Sequence, residues 1–258
     1  MDLQLFISNE LAIHFYYSRD SVEGDIFHVK NLCLVFPGLP NTIDKSYFSD
    51  RVSRDTAFLS VSYYGTWMSG GNFNPQSVKQ TIQDAISFAK SKEGVKAFDN
   101  EKMCWEYENL FVVGYSFAGN FVLNSVLDKD SITSIILCAP LIYVDKQIVE
   151  TVLGNDASDF FDSNMFFLQF LQRGYPYVLR GIEDHSWASY FDGSYDLSKI
   201  SIPENYPPIH VIHGTEDTQV NFKFSEYFNS QYPTISTLEL QKGVGHTKEM
   251  FQSRHLRV

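Results

Sequence analysis

The spacing of short apolar runs is what most constrains the fold of this chain. Runs of strand length, bounded by Gly, Pro, Asn or Asp, stand at residues 3–7, 11–17, 31–36, 57–63, 110–113, 134–139, 209–213 and 235–240. Only Ser8, Asn9 and Glu10 separate the first two, the gap of an antiparallel hairpin. The later runs lie far enough apart to need crossover connections, as parallel strands do. Ile135, Ile136 and Leu137 are apolar without alternation, which suits a strand covered on both faces. The expectation is an α/β fold, with an eight-stranded, mostly parallel sheet flanked by helices.

Helical patterns occupy the gaps. Residues 75–92 begin with Asn74 in the cap position and Pro75 in the first turn, then repeat apolar side chains at Val78, Ile82, Ile86 and Ala89. Residues 117–127 place Phe121, Val122 and Val126 on one side, and 221–229 follow the seventh run in the same way. The stretch 143–208 is too long for a plain loop and too aromatic for a solvated linker. It predicts a helical cap at 145–207 inserted between the sixth and seventh strands, with the core formed by 1–144 and 208–258. Within it, most aromatics would simply pack the insertion on the sheet, while Phe167, Phe170 and Trp187 are candidates to line a pocket.

Charge and cysteine usage narrow the partners. A net charge of −11 offers no general attraction to phosphate backbones or anionic lipid, so nucleic acid is not expected. The longest apolar stretch, 135–144, is short for a membrane span and contains Pro140, and the segment MDLQLFISNE carries acid where an export signal carries base. Of the three cysteines, Cys33 and Cys138 sit inside apolar runs, which implies no disulfide framework and fits a cytoplasmic location. With no H-E-x-x-H, Cys pair or Gly-rich phosphate loop, neither a metal nor a cofactor is expected.

The chemistry is concentrated in LFVVGYSFAGNFVL, residues 110–123, where Ser116 lies between a buried strand and an amphipathic helix. A serine on so tight a turn needs small neighbours at minus two and plus two, and Gly114 and Ala118 are small. The helix after it would aim N–H groups and a positive dipole end at any oxyanion formed beside Ser116.

Strand, G-Y-S-F-A, helix resembles the nucleophile elbow of the α/β-hydrolase superfamily, which is strand, G-x-S-x-G, helix, with Ala118 in the place of the second glycine. SYYGTWMSGGNF further resembles the R-G-x-G-x-S-x-G segment of its lysophospholipase-like, feruloyl-esterase-like and serine-aminopeptidase-like members, with Tyr64 in the Arg place and Trp67 in a Gly place. The resemblance implies an acid and a histidine in later loops. HGTEDTQV puts Asp217 after the seventh strand, with Glu216 as competitor, and GVGHT puts His246 after the eighth. Ser116 would then be the nucleophile, His246 the base and Asp217 the residue that orients the imidazole. The oxyanion donors implied are the Phe117 amide and one from VFPGLP, where Pro37 and Pro40 have no N–H and Gly38 and Leu39 do. The family's H-G-x pattern, carried over to Pro37, Gly38 and Leu39, implies Leu39, with Pro37 in place of the histidine many relatives carry. Tyr115, Tyr64 and Trp67 are candidates to face the substrate, whereas His210 and His213, in the seventh strand and at its end, read as structural imidazoles.

The resemblance thus implies a cofactor-independent serine hydrolase that cleaves a carboxylic ester or thioester of a hydrophobic or aromatic acyl group through a seryl acyl-enzyme. Its partner would be a small-molecule acyl substrate. Two alternatives use the same fold: a serine peptidase or aminopeptidase, and a non-catalytic ligand-binding protein.

Overall fold

The structure is a computed structural model, and it describes residues 1–23, 26–39, 47, 50–126, 130–160, 162–163, 179–181, 202–203 and 205–247. The eight expected strands are present as β1 (Asp2–Ser8), β2 (Leu11–Tyr17), β4 (Ile26–Phe36), β5 (Thr56–Val61), β7 (Lys102–Tyr115), β8 (Ser134–Cys138), β9 (Ile209–Gly214) and β10 (Ser236–Gln241). Two short strands, β3 (Val22–Glu23) and β6 (Glu93–Val95), bring the sheet to ten among the described residues. Its order is β1-β2-β5-β4-β7-β8-β9-β10, with β3 beside β4 and β6 beside β7. From β5 to β10 every neighbour along this path is parallel, so these strands all end at one edge of the sheet.

The first hairpin turns through Asn9 and Glu10, both at positive φ (48° and 67°), the pairing of signs that matches a two-residue loop to the strand twist. Helix α1 (Pro75–Ser91) starts on a reciprocal cap. The Asn74 side chain accepts from the Ser77 amide at 2.9 Å, and the Asn74 amide donates to Ser77 Oγ at 2.9 Å. Its apolar stripe, Val78, Ile82, Ala85, Ile86 and Ala89, is buried. Helices α2 (Ala118–Ser125), α3 (Lys146–Leu153) and α4 (Lys223–Gln231) bury side chains in the same core as α1, on one face of the sheet. The other face carries a second cluster built on Cys33, Val35, Phe58, Val113, Ile136 and Cys138, joined by Tyr47, Val52 and Val244.

Strand β7 begins well before residue 110. Its first half alternates Trp105, buried, with Glu106 and Glu108, exposed, and pairs with the early part of β4 from Ile26↔Cys104 to Val29↔Tyr107. Beyond this extension the chain just after β6 bridges back to β1, where Phe6 pairs with Lys96 and the Ala97 amide donates to Leu5 O at 2.8 Å. The curled end encloses Phe6, Phe15, Phe27, Phe88 and Trp105, whose ring centroids lie 5.0 to 6.3 Å apart in successive contacts. Trp105 spends its indole N–H on Ala89 O at 3.1 Å, so the ring is buried without an orphaned donor.

Helix α3 and the residues after it open the 145–207 stretch and pack into the main core through Val149, Leu153, Ala157 and Phe160. Farther on, Leu179 bridges Thr66, and the Arg180 amide donates to Gly65 O at 2.7 Å. Phe167, Phe170 and Trp187 lie outside the described residues.

The approach of α2 to the segment after β8 explains Gly119, the residue after the elbow's Ala118. A Cβ on Gly119 would stand 2.4 Å from Pro140 Cβ, and next to it the Asn120 amide and side chain bond Leu141 O and Ile142 O. Gly119→Ala is therefore expected to cost about 1–3 kcal/mol through forced backbone displacement. Urea denaturation of the two proteins measures this, and an unchanged midpoint would show that the contact can relax freely.

Candidate active site

Ser116 sits where β7 turns into α2, and its backbone adopts φ +52°, a left-handed value that costs free energy for a residue with a Cβ. The end of β8 holds that turn from both sides. The Ser116 amide donates to Cys138 O at 2.9 Å, and Ser116 O accepts from Leu141 at 2.8 Å and from Gly119 at 3.0 Å. The side chain is thereby lifted to the C-terminal edge of the parallel strands, where loops from β4, β5, β9 and β10 also converge.

Asp217 follows β9 and His246 follows β10, and the structure brings both to Ser116. His246 Nδ1 lies 2.7 Å from Asp217 Oδ2, and His246 Nε2 lies 3.0 Å from Ser116 Oγ. Because a carboxylate only accepts, Nδ1 carries the proton and Nε2 receives the serine hydroxyl's. Glu216 is exposed, whereas the Asp217 side chain is fully buried and is the carboxylate that meets His246.

Asp217 is also held from behind. Its Oδ1 accepts from the Gln219 and Val220 amides at 2.9 and 2.8 Å, closing the turn after β9. Its Oδ2 lies 3.2 Å from His213 Nε2 as well as against His246. His213 is wholly buried. Nε2 also faces Val220 O at 2.9 Å, so it carries the proton, and Nδ1 takes the Ser225 hydroxyl at 2.7 Å. Burial would push the Asp217 carboxyl up, but hydrogen bonds from His213 and His246, the nearby His246 and the Val220 amide outweigh it. Together they hold the group well below the usual carboxylate range. The structural reading of His213 is right as far as it goes, but its contact with Asp217 was not anticipated. The signal was its place four residues before Asp217, in the buried end of the strand.

The loop after β4 lies against Ser116. A Cβ on Gly38 would come within 2.9 Å of Ser116 Cβ and 3.4 Å of Oγ, so only glycine admits this approach. Leu39 comes next, partly buried against the core, and Phe117 stands at the N-cap of α2.

At the sequence level, no protein-family model and no curated protein matches the chain. Solved structures do. Est1E from Butyrivibrio proteoclasticus with bound ferulic acid superposes with a TM-score of 0.62 at 16% identity, covering 98% of this chain and 96% of that one. The monoacylglycerol lipase of Paleococcus ferrophilus gives 0.56 at 13% identity over 96% and 91%. Bromoperoxidase from Bacillus anthracis gives 0.55 at 15% over 99% and 97%. The chain has the α/β-hydrolase fold. That fold hosts more than one chemistry, so the reaction has to be argued from the site.

Within this fold the remaining candidates fall in different places. The Tyr115 ring is almost fully buried and packs against the His246 imidazole, centroids 5.2 Å apart. The Tyr64 hydroxyl donates to Asp84 Oδ2 at 2.9 Å and lies 3.2 Å from Asn9 O, which ties it to α1 and the first hairpin. Trp67 is 41% exposed and has φ +45°, so it adopts a backbone shape that favours the glycine common in related segments. Its carbonyl and that of Ser69 accept from the Arg180 guanidinium, which ties this loop to the 179–181 segment. Among the described residues no cluster of three or more His, Cys, Asp or Glu is placed to hold a metal ion. No helix among them is long and apolar enough to cross a membrane.

Proposed function

We propose that this chain is a serine hydrolase that cleaves a carboxylic ester or thioester of a hydrophobic or aromatic acyl group. The observation that carries the reading is the unbroken chain Ser116 Oγ, His246 Nε2 and Nδ1, Asp217 Oδ2, at 3.0 and 2.7 Å. Ser116 Oγ attacks the acyl carbon while His246 Nε2 takes its proton. The Phe117 and Leu39 amides receive the oxyanion, and collapse of the tetrahedral intermediate expels the alcohol or thiol with the proton returned from Nε2. Water repeats the sequence and frees the acid. Asp217 keeps the proton on Nδ1 and stabilises the imidazolium formed in each half.

The acyl preference rests on the aromatic composition of 145–207 and on likeness to a structure that holds ferulic acid. Ester over amide rests on likeness to an esterase and a lipase.

The test is peptide mass spectrometry after treatment with a fluorophosphonate, followed by a screen of ferulate, aryl and aliphatic esters, thioesters and aminoacyl amides. A single adduct on Ser116 with turnover of esters is the expected result. Turnover confined to the amides would make the protein a peptidase, and no adduct on folded protein would leave a ligand-binding role.

A further inference from the structure

Tyr63 closes the run after β5. It is 1% exposed, and its hydroxyl donates to Pro37 O at 2.7 Å. The same ring meets the Phe117 ring edge-on, centroids 6.0 Å apart and planes at 81°. One side chain therefore touches both segments assigned the oxyanion donors, the Phe117 turn and the loop carrying Gly38 and Leu39. The geometry points to Tyr63 as a positioning residue that sets the spacing between the two halves of the oxyanion hole. This rests on the serine-hydrolase reading above.

The physical need for such a restraint is local. The Pro37 carbonyl belongs to the planar peptide unit joining Pro37 to Gly38, so pinning its oxygen fixes the direction of the Gly38 N–H and the entry into Leu39. Pro37 has no N–H with which to tether the loop. Gly38 is required by its approach to Ser116, yet glycine is the residue least able to hold its own conformation. The Tyr63 hydroxyl supplies the restraint that neither residue can. Phe73 packs on both Tyr63 and Phe117, at 6.3 and 6.1 Å, and so fixes the ring from the other side. Burial raises the phenol well above its ordinary range, which keeps it a donor throughout working pH.

Tyr63→Phe keeps the ring packing and removes only the hydroxyl. Ester kcat and the second-order rate of fluorophosphonate labelling are expected to fall together by roughly 10- to 100-fold with KM unchanged. That is less than the on the order of 10²- to 10³-fold lost when a donor is deleted outright. The control is Tyr206→Phe, which removes a comparable buried hydroxyl that donates to Leu123 O at 2.9 Å in α2. It should lower the melting temperature without slowing labelling. Tyr63→Phe labelled as fast as wild type, or slowed no more than Tyr206→Phe at equal folded fraction, would overturn the assignment. Folded wild type that is never labelled would overturn the hydrolase reading and this one with it, an outcome that the variants alone cannot produce.

Discussion

Ser116→Ala is expected to remove ester turnover by on the order of 10⁴- to 10⁶-fold and to abolish fluorophosphonate labelling, while the protein stays folded. On the proposed mechanism the attacking atom is lost outright, and His246 Nε2 is left with no hydroxyl to activate. Folding should survive because the backbone bonds that hold the elbow, to Cys138, Leu141 and Gly119, do not involve the side chain. Alanine at φ +52° bears the same Cβ strain as serine, so that cost is unchanged. Among the described residues the hydrogen bond given up is the 3.0 Å contact to His246, worth about 1 kcal/mol. Residual rate above the uncatalysed reaction would come from the oxyanion amides and binding alone. Turnover within tenfold of wild type, in a variant with a native melting curve, would move the nucleophile elsewhere.

What could be read in the sequence was whatever each local stretch decides by itself. The elbow is legible because a buried strand, a small-residue turn and an amphipathic helix must succeed one another within 110–123. Asp217 and His246 are legible once the strands before them are placed. The first half of β7 was missed because KMCWEYEN alternates charged and aromatic residues, so it pairs as a strand without forming an apolar run. Strands β3 and β6 are two and three residues long, too short to carry a periodic signal. The aromatic residues of the curled end come from distant segments, Phe6 and Phe15 in the hairpin, Phe88 in α1 and Trp105 in β7, and only the pairing of β1 with Lys96 unites them. Tyr63 and His213 lie at the ends of apolar runs that say nothing of what they touch. Their partners, Pro37 and Asp217, are set by which strand ends lie side by side, and that is a property of sheet order.

Asp217→Asn should lower kcat/KM by on the order of 10⁴-fold with little change in the fold at neutral pH. Asparagine can still accept from the Gln219 and Val220 amides through its oxygen. That leaves its NH₂ where Oδ2 was, facing His246 Nδ1 and the His213 Nε2–H. His246 can bond the amide only by carrying its own proton on Nε2, which then points at Ser116 and cannot accept from it. The matched control is Glu216→Gln, exposed and outside the chain of hydrogen bonds, with activity expected near wild type. Should Glu216→Gln be the damaging change, the acid has been misassigned. The same variant separates catalysis from stability through pH. The wild-type carboxyl is depressed in the folded state, so its ionised form contributes stability in full above the unfolded value of about 4, and that contribution is lost as pH falls through the lower folded value. Asp217→Asn lacks it at every pH. The stability gap between the two proteins in urea should therefore be widest near neutrality and narrow steadily below about pH 4. A gap that stays constant from pH 7 to pH 3 would mean that His213 and His246 do not stabilise the charged form.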